Sequence, residues 1–288
     1  MSANHGPAAN GRERTRTLED PQISFIGGGN MAQCLLRGLI DAGHDGRRLA
    51  ASDPDPGCRE AVAGLGANAL ERNQDAVDRA DVVVLAVKPQ ALPAVLDGLR
   101  VPADRLLVSI CAGVPIAGIA AATSADQPIV RTMPNTPALL RAGVTALYAN
   151  AQASEGQRAL AEGILAAVGK TVWVAEEALL DAVTAVSGSG PAYFFHLMEA
   201  MIEAGRGLGL TDSLAATLTV ETAFGAALMA RQGAHSPAEL RRRVTSPGGT
   251  TEAALNTLSH HQADQALVEA IGAACGRSRE LAEAFQAP

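Results

Sequence analysis

The sequence predicts a doubly wound, parallel α/β sheet of Rossmann type followed by an all-α helical bundle. Three observations predict it. A strand, a glycine turn and a helix open the chain in that order. Short apolar strands then alternate with helical stretches to about residue 175. After Glu176 strand-like runs disappear, and long Ala/Leu/Met helices take over. The expected organisation is a disordered leader over 1–20, a sheet unit over 21–175 and a helical unit over 176–288.

Ile23–Ile26 is a short β-prone run that leads into Gly27-Gly28-Gly29-Asn30-Met31-Ala32, which fits G-x-G-x-x-A. Apolar residues at Leu35, Leu36, Leu39 and Ile40 then mark a helix ending at Gly43. Strand, turn and helix together are the context in which this motif holds a dinucleotide. Gly27 permits the tight turn, Gly29 lets backbone approach a pyrophosphate, and Ala32 keeps helix and sheet close. Ile26, Gly27, Gly28, Gly29, Asn30, Met31 and Ala32 are thus candidate cofactor residues.

The next strand, 49–52, ends at Ser52 and Asp53. An acid at this tip binds the adenosine ribose hydroxyls and disfavours a 2′-phosphate, although Arg47, Arg48 and Arg59 lie close in sequence and could compensate. Residues 81–87 read as a buried parallel strand, apolar after Asp81, that stops at Lys88-Pro89. Ligands of open α/β sheets sit outside the strands' carboxyl ends, so Ala86, Val87 and Lys88 should border the cofactor; Lys88 reads equally as a solvated charge. The strand over 106–109 runs into Cys111, Ala112 and Gly113, small residues against which a ring can lie. Residues 129–132 and 145–148 look like later strands, and 171–174 like an edge.

Helices are expected near 178–186, 190–208, 212–232, 236–244, 250–259 and 262–285. Leu214, Leu218, Val220, Phe224, Leu228 and Met229 cover much of one helix's circumference, whereas a surface helix needs one apolar stripe. The bundle is therefore expected to be buried by a second copy, as an obligate homodimer.

Within it, Thr245-Ser246-Pro247-Gly248-Gly249-Thr250-Thr251 breaks the helical pattern with two glycines and four hydroxyls. Such glycines let successive N–H groups converge, and the helix that follows adds its positive end. The stretch reads as a pocket for a small carboxylate, with Ser246, Gly248, Gly249, Thr250 and Thr251 as candidate substrate contacts; a plain Pro-Gly turn capped by threonine is the bland alternative.

The 288 residues are 48% hydrophobic and 18% charged, enough for one large or two medium cores. A net charge of −7 argues against nucleic acid or an anionic membrane as partner. No apolar run reaches the length needed to span a bilayer, and residues 1–20 lack a secretory core. Four cysteines without metal-like or disulfide-like spacing point to a reducing cytoplasm. His260 and His261 have no third ligand nearby, so no metal is expected.

FIGGGNMA (25–32), AVKPQ (86–90), VRTMPNTPAL (130–139), VSGSGPAY (186–193) and TSPGGTT (245–251) stand in an order that resembles the pyrroline-5-carboxylate reductase family. The resemblance covers about 22–285, and its last two strings are the specific ones. It implies reduction of a cyclic imine to L-proline with NADPH or NADH, by a homodimer or a larger ring of dimers. It also implies that Gly27–Ala32 hold the pyrophosphate and that Ser52, Asp53 and Asn73 face the adenosine side. Ala86–Pro89 and Cys111–Gly113 would line ribose and nicotinamide, with the Asn135-Thr136-Pro137 turn in the active site and Asn135 among the cofactor contacts. By the same resemblance the Thr251 hydroxyl, the catalytic candidate, meets the ring nitrogen.

Two departures limit the transfer. A polar residue that some members carry before the loop falls here on Ala234 or His235, and is not carried over. Asp53 stands where some members have serine or asparagine, which leaves the cofactor phosphate open. A β-hydroxyacid dehydrogenase is the nearest rival, but it typically uses a lysine on the first long helix of the second unit. The only lysines here are Lys88 and Lys170. Tyr193 and His196 on that helix could donate a proton but read better as packed residues. A non-catalytic dinucleotide-sensing dimer would have no use for the hydroxyl-rich loop.

Overall fold

The structure, a computed structural model, describes residues 20–286. The expected leader over 1–20 lies outside the described residues except for Asp20, whose carboxylate pairs with Arg48 at 2.6 Å. The element order is β1 (Ile23–Ile26), α1 (Asn30–Asp41), β2 (Leu49–Ser52), α2 (Pro56–Gly64), β3 (Asn68–Leu70), α3 (Asn73–Arg79), β4 (Val82–Leu85), α4 (Leu92–Leu96), β5 (Leu106–Ser109) and α5 (Ile116–Ala122). Then come β6 (Ile129–Met133), β7 (Gly143–Ala149), α6 (Glu155–Ala166) and β8 (Gly169–Trp173). Among the described residues only helices follow: α7 (Leu179–Val183), α8 (Gly190–Gly207), α9 (Asp212–Arg231), α10 (Pro237–Arg243), α11 (Thr250–His260) and α12 (Ala263–Gln286).

Among the described residues the strands form one sheet ordered β3-β2-β1-β4-β5-β6-β7-β8. The order reverses between β1 and β4, which is the switch point where open α/β sheets bind ligands. Successive strand residues point to opposite faces, and both faces are covered. On β4, Val82 and Val84 join the core that includes Leu35 and Leu36 of α1 and Ile164 and Leu165 of α6. Val83 and Leu85 join the core of α3, α4 and α5 with Val77, Leu92 and Ile119. Burial on both sides is why β4 reads as an unbroken apolar run.

The sheet is not wholly parallel. β6 and β7 pair antiparallel, Val130 opposite Ala149. Their link, 134–142, holds only a 3-10 turn over Thr136–Leu140, and a parallel crossover needs roughly a dozen residues or more. β8 is an edge as expected, and β3, the other edge, was not read from the sequence. Each expected helix of the second half is present within a few residues, but the first changes character. α7 passes into a π-helical turn over Thr184–Gly188, where the Ser189 N–H reaches the Thr184 carbonyl at 2.8 Å. The Tyr193 hydroxyl donates to the Ala185 carbonyl at 3.0 Å and so supports that wide turn.

α8 and α9 lie together at small residues: a Cβ on Gly205 would stand 3.1 Å from the Ala215 Cβ. The outer surfaces of this pair remain bare, with Phe194 64% and Phe224 60% exposed. The expectation that no segment reaches membrane-spanning length needs correction. α9 is long and apolar enough by length and composition, with mean hydropathy 1.4. Its Thr, Ser and Gly residues interrupt an apolar run without making the helix polar.

Candidate active site

The glycine turn sits at the switch point and is held from three sides. Gly27 has φ +100°, a conformation that L side chains rarely adopt. A Cβ there would lie 2.6 Å from the Ala86 carbonyl oxygen. The Gly27 N–H donates to the Ser52 carbonyl at 2.8 Å, and the Gly28 N–H donates to Asp53 Oδ2 at 2.8 Å. Gln33 Nε2 donates to the Gly28 carbonyl at 2.7 Å and ties the turn to its own helix. Gly29 precedes α1 without a side-chain cap, and a Cβ built on it meets nothing within 4 Å. The first N–H groups of α1 therefore face open space with the helix's positive end behind them. That open cradle fits a pyrophosphate.

Further contacts extend across the carboxyl ends of the strands. Ser52 Oγ donates to Asn73 Oδ1 at 2.9 Å, joining the β2 tip to the first turn of α3. The Ala86 N–H donates to the Ile26 carbonyl at 2.8 Å. Cys111 donates its thiol hydrogen to the Val87 carbonyl, with Sγ 3.3 Å away. Burial pushes that thiol up from 9.0 to about 11, so it stays neutral at physiological pH. Lys88 and Asn30 are exposed, Met31, Pro89 and Ala112 are half-buried, and Ala32 and Gly113 are buried. The structure thus brings together the residues proposed from β1, β2, α3, β4 and β5.

Of the three arginines weighed against Asp53, only Arg59 is at the strand tip, where Nη1 donates to the Asp53 and Pro54 carbonyls at 2.9 and 2.7 Å. Arg47 pairs with Asp45 at 2.8 Å and Arg48 with Asp20, both before β2 begins. They stand at the wrong end of the strand to meet a phosphate at its tip. Asp53 itself accepts from two backbone N–H groups, Gly28 at Oδ2 and Asp55 at Oδ1, and each oxygen keeps a lone pair for a further donor.

The Asn-Thr-Pro turn and the Ser-Gly-Ser-Gly segment meet at the end of β6. Asn135 Oδ1 accepts from the Val144 N–H at 2.9 Å, and its Nδ2 donates to the Ser187 carbonyl at 3.2 Å. Gly188 approaches so closely that a Cβ would lie 2.5 Å from Met133 Cε. Asn135 therefore serves as a tie between sheet and bundle, with both ends of its carboxamide engaged. Tyr193 is occupied as described above, and His196 is exposed beside Glu199.

The 245–251 loop stands apart. Every hydrogen bond described for it is local. The Gly248 N–H donates to Glu252 Oε2 at 2.7 Å, and the Gly249 N–H to the Ser246 carbonyl at 3.0 Å. Both glycine N–H groups, expected as donors to a ligand carboxylate, are engaged within the chain, by Glu252 of α11 and by Ser246 of the loop. The glycines shape the bend instead, with Gly248 at φ +71°. The N–H groups of Thr250 and Thr251, in the first turn of α11 and without a side-chain cap, have no partner inside the helix. Ser246 and Thr250 are exposed and Thr251 is half-buried.

Two residues missed from the sequence join the halves of the molecule. Glu177 Oε1 accepts from Arg131 Nη1 and from the Ile116 N–H, each at 2.8 Å. An arginine inside the apolar strand Ile129–Met133 was the available signal, because a buried cation needs an anionic partner.

Residues 177–281 match the family described as pyrroline-5-carboxylate reductase dimerisation, and residues 22–113 match the one described as NADP oxidoreductase, coenzyme F420-dependent. A pyrroline-5-carboxylate reductase of Pseudomonas aeruginosa is 51% identical over 270 residues, spanning 92% of this chain and 98% of the relative. One from Haemophilus influenzae is 40% identical and spans 93% and 100%. Among solved structures, the Coxiella burnetii pyrroline-5-carboxylate reductase superposes with a TM-score of 0.85 at 41% identity over 91% of this chain and 98% of that one. The Plasmodium falciparum pyrroline carboxylate reductase with NADP bound gives 0.83 at 27% identity over 92% and 99%.

Proposed function

The chain belongs to the pyrroline-5-carboxylate reductase family, and from that membership we infer how its residues share out the reaction. The activity is reduction of 1-pyrroline-5-carboxylate to L-proline, the last step of proline biosynthesis, with a nicotinamide dinucleotide as reductant. The end-to-end match at 51% identity carries this reading. We divide the chain into a dinucleotide-binding unit, 21–175, and a dimerisation and substrate unit, 176–288.

When bound, the reduced nicotinamide supplies the hydride that goes to the imine carbon. The residues at Gly27–Ala32 hold the pyrophosphate, Ser52, Asp53 and Asn73 hold the adenosine side, and Ala86–Pro89 with Cys111–Gly113 border the nicotinamide half. The N–H groups and hydroxyls of Thr250 and Thr251 hold the substrate carboxylate at the positive end of α11, with Ser246 beside them. The Thr251 hydroxyl accepts from the protonated ring nitrogen. That N–H proton stays on nitrogen while the C=N bond becomes CH–NH, so no strong acid is needed. Alignment and exclusion of water carry the remaining barrier, alignment being worth up to ~7–11 kcal/mol in favourable systems.

No contact described within one chain brings 245–251 to its own glycine turn, while the apolar outer faces of α8 and α9 stand bare in the region matched to the dimerisation family. We therefore assign the loop to the partner's cofactor site in a homodimer, which also covers α9 and accounts for its hydropathy. Larger rings of dimers are compatible with this. The cytoplasm is the compartment we assign, in keeping with four free cysteines.

Turnover is the direct test. Mixing the protein with 1-pyrroline-5-carboxylate and NADPH or NADH consumes the nicotinamide absorbance; no loss with either cofactor would leave only a dinucleotide sensor. Asp53 sets the preference in this reading, because a carboxylate at the β2 tip repels a 2′-phosphate. Asp53→Ser should raise the ratio of kcat/KM for NADPH over NADH about tenfold. An unchanged ratio would remove Asp53 from cofactor choice.

A further inference from the structure

The helical unit presses on one short segment, Gly113–Gly118, at three points. Glu177 accepts from the Ile116 N–H, the first of α5, across 61 positions of sequence. That N–H otherwise has no partner, because the preceding Pro115 provides no side-chain cap. Leu281 of α12 lies over Gly113, where a Cβ would be 3.3 Å from the Leu281 Cβ; Gly113 has φ +72°. Phe285, near the end of the same helix, lies so close to Gly118 that a Cβ there would be 2.6 Å from Phe285 Cε1. Its ring is half-buried against the core that contains Val114, Ile116 and Ile119. α12 is itself pinned, since buried Ser278 donates to Asp181 Oδ1 of α7 at 2.7 Å.

These contacts land on the continuation of Cys111–Gly113, the loop assigned above to the nicotinamide half. We propose that Glu177, Leu281 and Phe285 form a clamp by which the helical unit positions the nicotinamide-facing loop. They are positioning residues and touch no reactant. The proposal rests on the nicotinamide assignment of 111–113. The adenosine half is held by Gly27–Ala32, Ser52, Asp53 and Asn73, none of which contacts α12 through a described hydrogen bond, so a loosened clamp should affect one end of the cofactor only.

Two variants test this by different routes. Phe285→Ala removes the ring, and Gly118→Ala displaces it by occupying its seat. Binding is titrated with the preferred reduced dinucleotide and with the matching ADP-ribose, which lacks nicotinamide. Both variants should weaken dinucleotide binding about tenfold while ADP-ribose binding stays within about twofold, and Phe285→Leu should restore most of the loss. In turnover, kcat should fall and the isotope effect with deuterated nicotinamide should rise, while the dimer persists on gel filtration. Unchanged dinucleotide binding, or equal loss for both ligands, overturns the clamp. If the unaltered protein binds both ligands equally, the nicotinamide assignment and the clamp fall together; if it distinguishes them and the variants do so equally well, the clamp alone falls.

Discussion

Gly27→Ala is expected to abolish dinucleotide binding and to destabilise the protein by roughly 2–4 kcal/mol. Two costs combine at this position. The backbone sits at φ +100°, and the added methyl would meet the Ala86 carbonyl oxygen at 2.6 Å, a side chain against rigid backbone just beyond the paired ends of β1 and β4. Relief requires β1 and β4 to part, or the turn to unwind and release the Gly27–Ser52 and Gly28–Asp53 hydrogen bonds. Gly29→Ala separates binding from folding. Its methyl meets no protein atom within 4 Å, so the urea midpoint should hold while affinity falls, because the space it fills is the space a pyrophosphate needs. Urea unfolding and fluorescence titration of both variants decide the matter; a normally stable Gly27→Ala protein would show that the turn adapts.

The contrast between these glycines explains how much was legible. The turn could be read because its geometry is dictated locally: three consecutive small residues between a buried strand and an amphipathic helix leave few options. β4 was legible for a related reason, since an apolar run flanked by Asp81 and Lys88 matches a strand covered on both faces. β3 was not, because Asn68–Leu70 is a half-buried three-residue edge without pattern. Arg47 and Arg48 misled because nearness in sequence to Asp53 does not survive a strand that carries the chain away. Gly248 and Gly249 misled differently. The bend was read correctly as a turn rich in N–H groups, but Glu252, four residues beyond Gly248, already satisfies one of them. The Glu177 contacts lay beyond reach, since nothing local pairs an acid after β8 with an arginine in β6. The place of the 245–251 loop could not be read within one chain, because in the assignment proposed above it depends on a second one.

That dependence can be tested through Thr251. Thr251→Ala should lower kcat about ten- to a hundredfold, in line with ~1.5–3 kcal/mol for a hydrogen bond to a charged group. It should leave dinucleotide binding and the unfolding midpoint intact, because no described hydrogen bond of the fold uses that hydroxyl. Mixing then distinguishes a site built within one chain from one built across two. A Thr251→Ala chain keeps a sound glycine turn, and a Gly29→Ala chain keeps a sound loop. If the loop of one chain serves the turn of its partner, each mixed dimer contains one intact site and one doubly impaired site. Random reassociation makes half the dimers mixed, so activity should recover to about a quarter of the unaltered level from two nearly inactive parents. If each loop served its own chain, every site in the mixed dimer would carry one lesion and no recovery would follow. The decisive measurement is the turnover of the reassociated mixture against the mean of its parents, because a site completed by the partner must exceed that mean and a site closed within one chain must match it.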